Sequence, residues 1–361
     1  MHMADALLSP AVGLGMDAAA LGTLAWAARR FTREERHQEV IPLAGVLGAF
    51  VFGAQMLNFS IPVTGSSGHV GGGLLLALML GPWAGLLTLA AVLVIQCLFF
   101  CDGGLLALGC NIFNLGFWPC LVGLPLYRWL ASGRPGRGRR LLAAVAAVLV
   151  SLELGAAGVV VQTVLSGRSE LPFAAFLPVM LGIHLPIALV EGVLTAVILQ
   201  FVARTRPEIA AAAADSAGAA GGGWRRAAAG FALLALLFSG VLAWFASSRP
   251  DGLEWSVSRV SGREELPRAP AGLAAGLARI QEKTALFPDY SLPRRAPAAG
   301  TEATEATERT EGTPPAWPAV DAGTSLAGLV GAGLVGLLAA ALAGLLLGLR
   351  KRMAGPAAGT R

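Results

Sequence analysis

Residues 71–100 read GGGLLLALMLGPWAGLLTLAAVLVIQCLFF, with no charged side chain. One helix needs roughly 20 apolar residues to cross a bilayer, and a single helix over this stretch would be ~45 Å long against a hydrocarbon core of ~30 Å. Gly81-Pro82 stands inside the run. Glycine loosens a helix, and proline removes a backbone donor and clashes with the preceding turn. The stretch is therefore expected to fold back as two spans, near 69–81 and 83–101. That choice sets the side of the membrane on which everything after it lies.

Further apolar runs predict spans near 10–30, 40–58, 104–130, 141–165, 173–203, 226–247 and 325–349. Only 14% of the 361 residues are charged and mean hydropathy is +0.66. Soluble domains carry about 25% charge, so the class is an all-α polytopic membrane protein. The 47 glycines suit close helix packing in lipid. A net charge of +5 would fit a nucleic-acid binder, but the basic residues sit in short clusters between apolar runs. ARRFTREERHQ (28–38), RWLASGRPGRGRR (128–140), ARTRPE (203–208), WRR (224–226) and LRKR (349–352) all fall on one side when 69–101 is crossed twice. Positive charge marks the cytoplasmic side. The expected topology is an outer N-terminus and an inner C-terminus in the cytoplasmic membrane, with no nucleic-acid partner.

Two segments do not read as membrane. PEIAAAAADSAGAAGGGW (207–224) is a small-residue cytoplasmic linker, dividing the chain into units 1–206 and 225–361. Residues 248–324 form an external segment whose start, PDGLEWSVSRVSG (250–262), has the composition of an ordered element. Its stretch 299–318 is expected to be disordered, being too poor in apolar residues to fold.

There is no GxxxxGK[ST], HExxH or GxSxG in the chain, so no phosphate loop, zincin helix or nucleophile elbow is present. Any ATP-driven step needs other subunits, and no prosthetic group is implied. Cys97, Cys101, Cys110 and Cys120 form no CxxC and read as small apolar packing residues. His37 lies in a basic loop and reads as solvated. His184 and Glu191 are seven residues apart in one span, on one side of the helix. Such a pair serves packing, or a gate or metal relay, or an intramembrane enzyme.

The start MHMADALLSP has no basic residue before Arg29, so it is expected to remain as made rather than act as a leader. The Met1 amine, the His2 main-chain nitrogen and His2 Nδ1 close a five- and a six-membered chelate ring around one ion. That fills three corners of a square once the main-chain amide gives up its proton, a set that selects Ni²⁺ or Cu²⁺ and holds Co²⁺ less tightly. His69, in NFSIPVTGSSGHVGGG (58–73), is the outward-facing candidate for the fourth corner, in what reads as a tight re-entrant loop. Asn58, Thr64, Ser66 and Ser67 are candidate supporting groups.

MHMADALLSPAVG, AQMLNFSIPVTGSSGHVGGGLLLALMLGPWA, CDGGLLALGCNIFNLGF and HLPIALVEG closely resemble the substrate-specific membrane component of cobalt and nickel energy-coupling-factor transporters, the CbiM/NikM family. The resemblance covers 1–203 and implies a seven-helix substrate-binding bundle with metal ligands at Met1, His2 and His69. It also implies partners: a coupling membrane subunit and ATPase subunits. Residues 225–361, with PDGLE at 250–254 and FPDYSLP at 287–293, resemble the small companion subunit of these systems, two spans with an extracytoplasmic loop. The expected function is import of Co²⁺ or Ni²⁺, the ion being cargo. The rival readings are a membrane-bound metal sensor signalling through 204–226 and an enzyme built on His184 and Glu191.

Overall fold

The computed structural model describes residues 1–33, 37–133, 136–169, 171–205, 224–263, 271–292 and 317–353. The predicted linker at 207–223 and the low-complexity stretch 299–316 lie outside them. The described residues are mostly helical, with a single two-stranded ladder. The first unit holds seven helices: α1 (Pro10–Phe31), α2 (His37–Gln55), α3 (Gly73–Leu80), α4 (Pro82–Phe100), α5 (Leu108–Leu130), α6 (Arg137–Ser166) and α7 (Phe173–Thr205). Ser9 caps α1 and Pro10 opens it, where proline's missing donor costs nothing.

The predicted break in 71–100 is present. Gly81, at φ 87°, ends α3 and precedes Pro82 at the start of α4, a conformation that favours glycine. The expected span at 69–81 is corrected, however. Helix α3 has only eight residues, all buried, and rises ~12 Å, so the crossing here is completed by the non-helical residues 69–72 ahead of it and not by helix alone. The stretch ahead of it is not helical. Phe59–Ser60 (β1) and Ser67–Gly68 (β2) pair antiparallel, Phe59 opposite Gly68, and residues 69–72 run into the bundle. Non-helical backbone at that depth persists only if its polar groups find partners inside the protein. Glu191 on α7 accepts from Gly71 N (2.7 Å) and Gly72 N (2.9 Å), and Gln55 Nε2 donates to Gly71 O at 2.8 Å. In α5, Pro119 withdraws a donor and Phe113–Gly123 runs as a π-helix.

The second unit contributes α8 (Trp224–Gly240), α9 (Gly252–Ser261), α10 (Leu273–Thr284) and α11 (Ala322–Met353). Helix α8 ends at Gly240, short of the predicted 247. Helices α8 and α11 both pack on α2 and on each other, with Phe50 edge-on to Phe231 at 5.4 Å. The expected external segment is not a separate body. Helix α9 lies on α7, and α10 lies at the end of α4, where Gln281 Nε2 donates to Cys97 O (2.8 Å) and Thr284 Oγ1 to Leu98 O (2.7 Å). These contacts satisfy carbonyls that a helix end leaves open. None of the four cysteines forms a disulfide. Among the described residues six helices, α1, α4, α5, α6, α7 and α11, are long and apolar enough to cross a membrane, and the protein is a multi-pass membrane protein.

Candidate metal centre

The amino-terminal segment is threaded into the bundle. Met3 and Leu8 are almost completely buried. Asn111, at the start of α5, reads the main chain of Met3 in both directions: Met3 N donates to Asn111 Oδ1 at 2.7 Å and Asn111 Nδ2 to Met3 O at 3.2 Å. Gly104 N also donates to Met3 O, at 2.9 Å. Asp5 Oδ1 accepts from Leu106 N and Ala107 N, and a Cβ on Gly104 would overlap Asp5. The loop after α4 is thus a cradle for residues 1–5.

This cradle brings the three predicted ligand residues together. The Met1 amine lies 3.3 Å from His69 Nε2. The His2 and His69 rings are stacked, with centroids 5.2 Å apart and planes inclined by 7°. His69 Nδ1 faces its neighbour's carbonyl, Val70 O, at 3.2 Å, so that nitrogen donates and Nε2 holds the lone pair. Burial first, then the Met1 ammonium and His2, push the His69 imidazole down to about 3, with Asp251 and Asp102 partly offsetting. At ordinary pH it is neutral, as a metal ligand must be.

Two carboxylates complete the site, and neither was among the sequence candidates. Asp251, the acidic residue of the PDGLE string, accepts from the Met1 amine at 2.6 Å. Asp102, in the CDGG string, meets His2 Nδ1 at 3.0 Å through Oδ1 and accepts the Tyr290 hydroxyl at 2.6 Å through Oδ2. Burial alone would raise both carboxyls. The Met1 ammonium outweighs it at Asp251 and the charge and hydrogen bond of His2 outweigh it at Asp102, so both lie below the usual carboxylate range. Tyr290 stacks on Phe100 at 5.0 Å. Gln96 Nε2 reaches Tyr290 Oη (3.3 Å) and Gln55 Oε1 (2.8 Å), and Gln55 holds Gly71. A buried hydrogen-bonded chain therefore joins His2 to the His69 loop. The only sequence signal for these partners was their position in the strings CDGG, PDGLE and FPDYSLP.

The structure departs from the sequence reading at three points. His2 Nδ1, which the chelate needs, is engaged by Asp102, while His2 Nε2 is buried with no protein partner. Asn58, Thr64, Ser66 and Ser67 do not touch Met1, His2 or His69 in any polar contact described. Instead they fasten the loop to the second unit and to itself: Asn58 O accepts Ser247 N, Thr64 O accepts Trp255 Nε1, Thr64 Oγ1 pairs with Ser66 Oγ, and Ser67 Oγ donates to Arg249 O at 2.7 Å. Asn58 and Thr64 act here through their main-chain carbonyls and Ser67 through its hydroxyl, because β1 and β2 abut residues 247–250. Finally, His184 and Glu191 do not bond to each other. His184 Nδ1 meets Met180 O at 2.7 Å, and Glu191 is taken by Gly71 and Gly72, so the dyad an enzyme would need is not formed. Among the described residues, no three His, Cys, Asp or Glu side chains group to hold a metal ion; a nitrogen set here requires the main chain.

Residues 2–209 match the family described as the cobalt uptake substrate-specific transmembrane region, CbiM. The chain belongs to that family. Residues 225–348 of this CbiM-family chain match the PDGLE domain, so Asp251 and Tyr290 reach the CbiM region from the PDGLE domain. The chain is 35% identical over 266 residues to a putative fused nickel transport protein NikMN of Archaeoglobus fulgidus, covering 74% of this chain and 81% of the relative. It is 31% identical to the fused nickel transport protein NikMN of Rhodobacter capsulatus, covering 81% and 88%. A crystal structure of a truncated transition metal transporter superposes with a TM-score of 0.50 at 30% identity, over 56% of this chain and 99% of that one.

Glu191 is a positioning residue in this CbiM-family site, because it fixes the loop two residues beyond His69. Hydrogen bonds to a charged group contribute ~1.5–3 kcal/mol each. Glu191→Gln keeps one acceptor and turns an NH₂ toward the second amide, leaving a buried donor unmet. Its thermal midpoint should fall and Ni²⁺ affinity should drop about tenfold by titration calorimetry. An affinity equal to the parent's would remove Glu191 from this role.

Proposed function

We propose that this chain is the ion-binding membrane component of an ATP-driven energy-coupling-factor importer of Co²⁺ or Ni²⁺, with Met1, His2 and His69 as the ligands. The convergence of the Met1 amine on His69 Nε2, with the His2 ring stacked beside it, carries this reading. Four nitrogens, from the Met1 amine, the His2 main chain, His2 Nδ1 and His69 Nε2, make the square that the sequence anticipates.

Loading follows from the contacts. The amine gives up a proton and its pairing with Asp251, and the His2 main-chain amide gives up its proton, both protons passing to solvent. The His2 ring turns about Cβ–Cγ, taking Nδ1 from Asp102. Both carboxylates then remain beside the cation, where they offset its charge and receive the N–H donors of its ligands. Release needs the square to open. The ligands come from two elements, the terminus and the 59–72 loop, so a shift of one against the other opens it. Units 1–206 and 225–361 act as binding component and companion, the latter meeting the site through Asp251 and Tyr290. The coupling subunit and ATPases are other chains, a reading supported by the missing phosphate loop.

Cells making this chain with a coupling subunit and ATPases should accumulate ⁶³Ni or ⁵⁷Co, and the purified chain should bind the ion without hydrolysing ATP. ATPase activity in a preparation holding only this polypeptide would sink the assignment. The orientation, outer N-terminus and inner C-terminus in the cytoplasmic membrane, has its own check. Externally added maleimide should label a cysteine placed at position 300 and miss one at 135; the reverse pattern would put the site on the wrong face.

A further inference from the structure

The CbiM region contains one buried histidine that the terminal site does not use. His184, on α7, is 1% exposed. Its Nδ1 faces Met180 O, one turn back, at 2.7 Å. A carbonyl only accepts, so Nδ1 carries the proton and Nε2 of the neutral ring carries the lone pair. That Nε2 is buried and has no partner among the described residues. A buried polar atom left so is normally destabilising, and a packing role would be met more cheaply by leucine.

The place Nε2 faces gives the reason. His184 lines one small cavity with Met1, His69, Gly71 and Asp251, which has room for about one water-sized species. Gly252 keeps that space open: a Cβ there would lie 3.1 Å from His184 Cε1 and 3.3 Å from Nε2. Gly252 follows Asp251, whose carboxylate holds the Met1 amine. An imidazole with its proton fixed by a main-chain carbonyl and its other nitrogen bare is the usual form of a metal-ligating histidine.

We propose that His184 is an inner station for the divalent cation: its Nε2 takes the ion when a corner of the terminal square opens, and so draws it from the terminus into the bundle. In the loaded resting state, His69 fills the fourth corner and His184 stays idle. During release, the pull of the loop away from the terminus frees a corner on the side of the shared cavity. The ion then exchanges one imidazole for another, with no change in charge, oxidation state or proton count. The proposal rests on the assignment of Met1, His2 and His69 as ligands.

The test is a double-mutant cycle on the purified full-length chain, with Ni²⁺ alone as probe and titration calorimetry as readout. His184→Ala by itself should change the dissociation constant by less than about threefold. In the His69→Ala background, where a corner is permanently open, adding His184→Ala should weaken binding by a further tenfold or more. His184→Gln, which keeps most of the volume but lacks an imidazole lone pair, should behave like alanine in both backgrounds, separating ligation from packing. Equal losses in both backgrounds, or no loss in either, overturn the inner station while leaving the terminal site standing. Undiminished binding by His69→Ala itself overturns the terminal assignment on which the proposal rests.

Discussion

His69→Ala should lower Ni²⁺ affinity by about 100-fold or more while the protein still folds. Ligand orientation by neighbouring groups alone is commonly worth 10–100-fold, and here a ligand itself is removed. The loop that carries His69 is held by other groups: Gly71 and Gly72 by Glu191, Ser67 by Arg249 and Pro250, and Gly71 O by Gln55. Its position therefore survives loss of the imidazole. The pH dependence adds a sharper criterion. Ion binding releases protons from the amine, so affinity should fall as pH falls. His69, pushed down to about 3, has no proton to lose between pH 6 and 8. The alanine variant should be weaker at every pH in that range with an unaltered slope. A loss confined to low pH would mean that His69 acts through its charge and not as a ligand.

Blocking the terminus should have an equally large effect by another route. Acetylating Met1 ties up the amine's lone pair and removes its charge. One corner of the square is lost, and the half-buried Asp251 carboxylate is left without its cation. Removing one partner of an ion pair largely withdrawn from water is destabilising, so binding and thermal stability should fall together. Adding one glycine ahead of Met1 separates binding from transport. It moves the free amine by about 3.3–3.6 Å of extended chain and creates Gly-Met-His, whose amine, two amides and imidazole fill four corners unaided. Ni²⁺ or Cu²⁺ should bind at least as tightly, yet uptake should fail, because the ion no longer bridges the terminus to the loop that carries His69. Uptake and binding measured on both forms, with the start verified by mass spectrometry, decide the matter. Normal uptake by the glycine-extended protein would falsify the role given to the Met1-His2 terminus.

Much of this molecule was legible without coordinates, because the relevant physics is local. Hydropathy placed the membrane helices, since lipid forces each span to satisfy its own backbone. Gly81-Pro82 marked the fold-back, since proline and glycine act on the turn in which they stand. The terminal amine, main-chain nitrogen and imidazole of Met1-His2 offered a candidate chelate, since three donors within two residues need no fold to meet. His69 stood out as the candidate fourth donor because histidines are so few, and the proposed site rests on both.

What only the tertiary structure decided was long-range. Nothing near residue 71 says that α3 is eight residues long; that follows from Glu191, 120 residues away, accepting two amides so that extended chain can persist inside the bundle. Nor does any local pattern bring Asp251 to the Met1 amine across 250 residues, or Tyr290 to Asp102 across 188. Those pairings exist because α9 and α10 dock on α7 and α4. The same docking decided the contacts of Asn58, Thr64, Ser66 and Ser67, polar and close to His69 in sequence, which bond to the loop itself and to the second unit. A ligand's chemical type is carried by its own side chain, but its partners are chosen by burial, which brings a distant carboxylate close and makes the unpaired alternative too costly to persist.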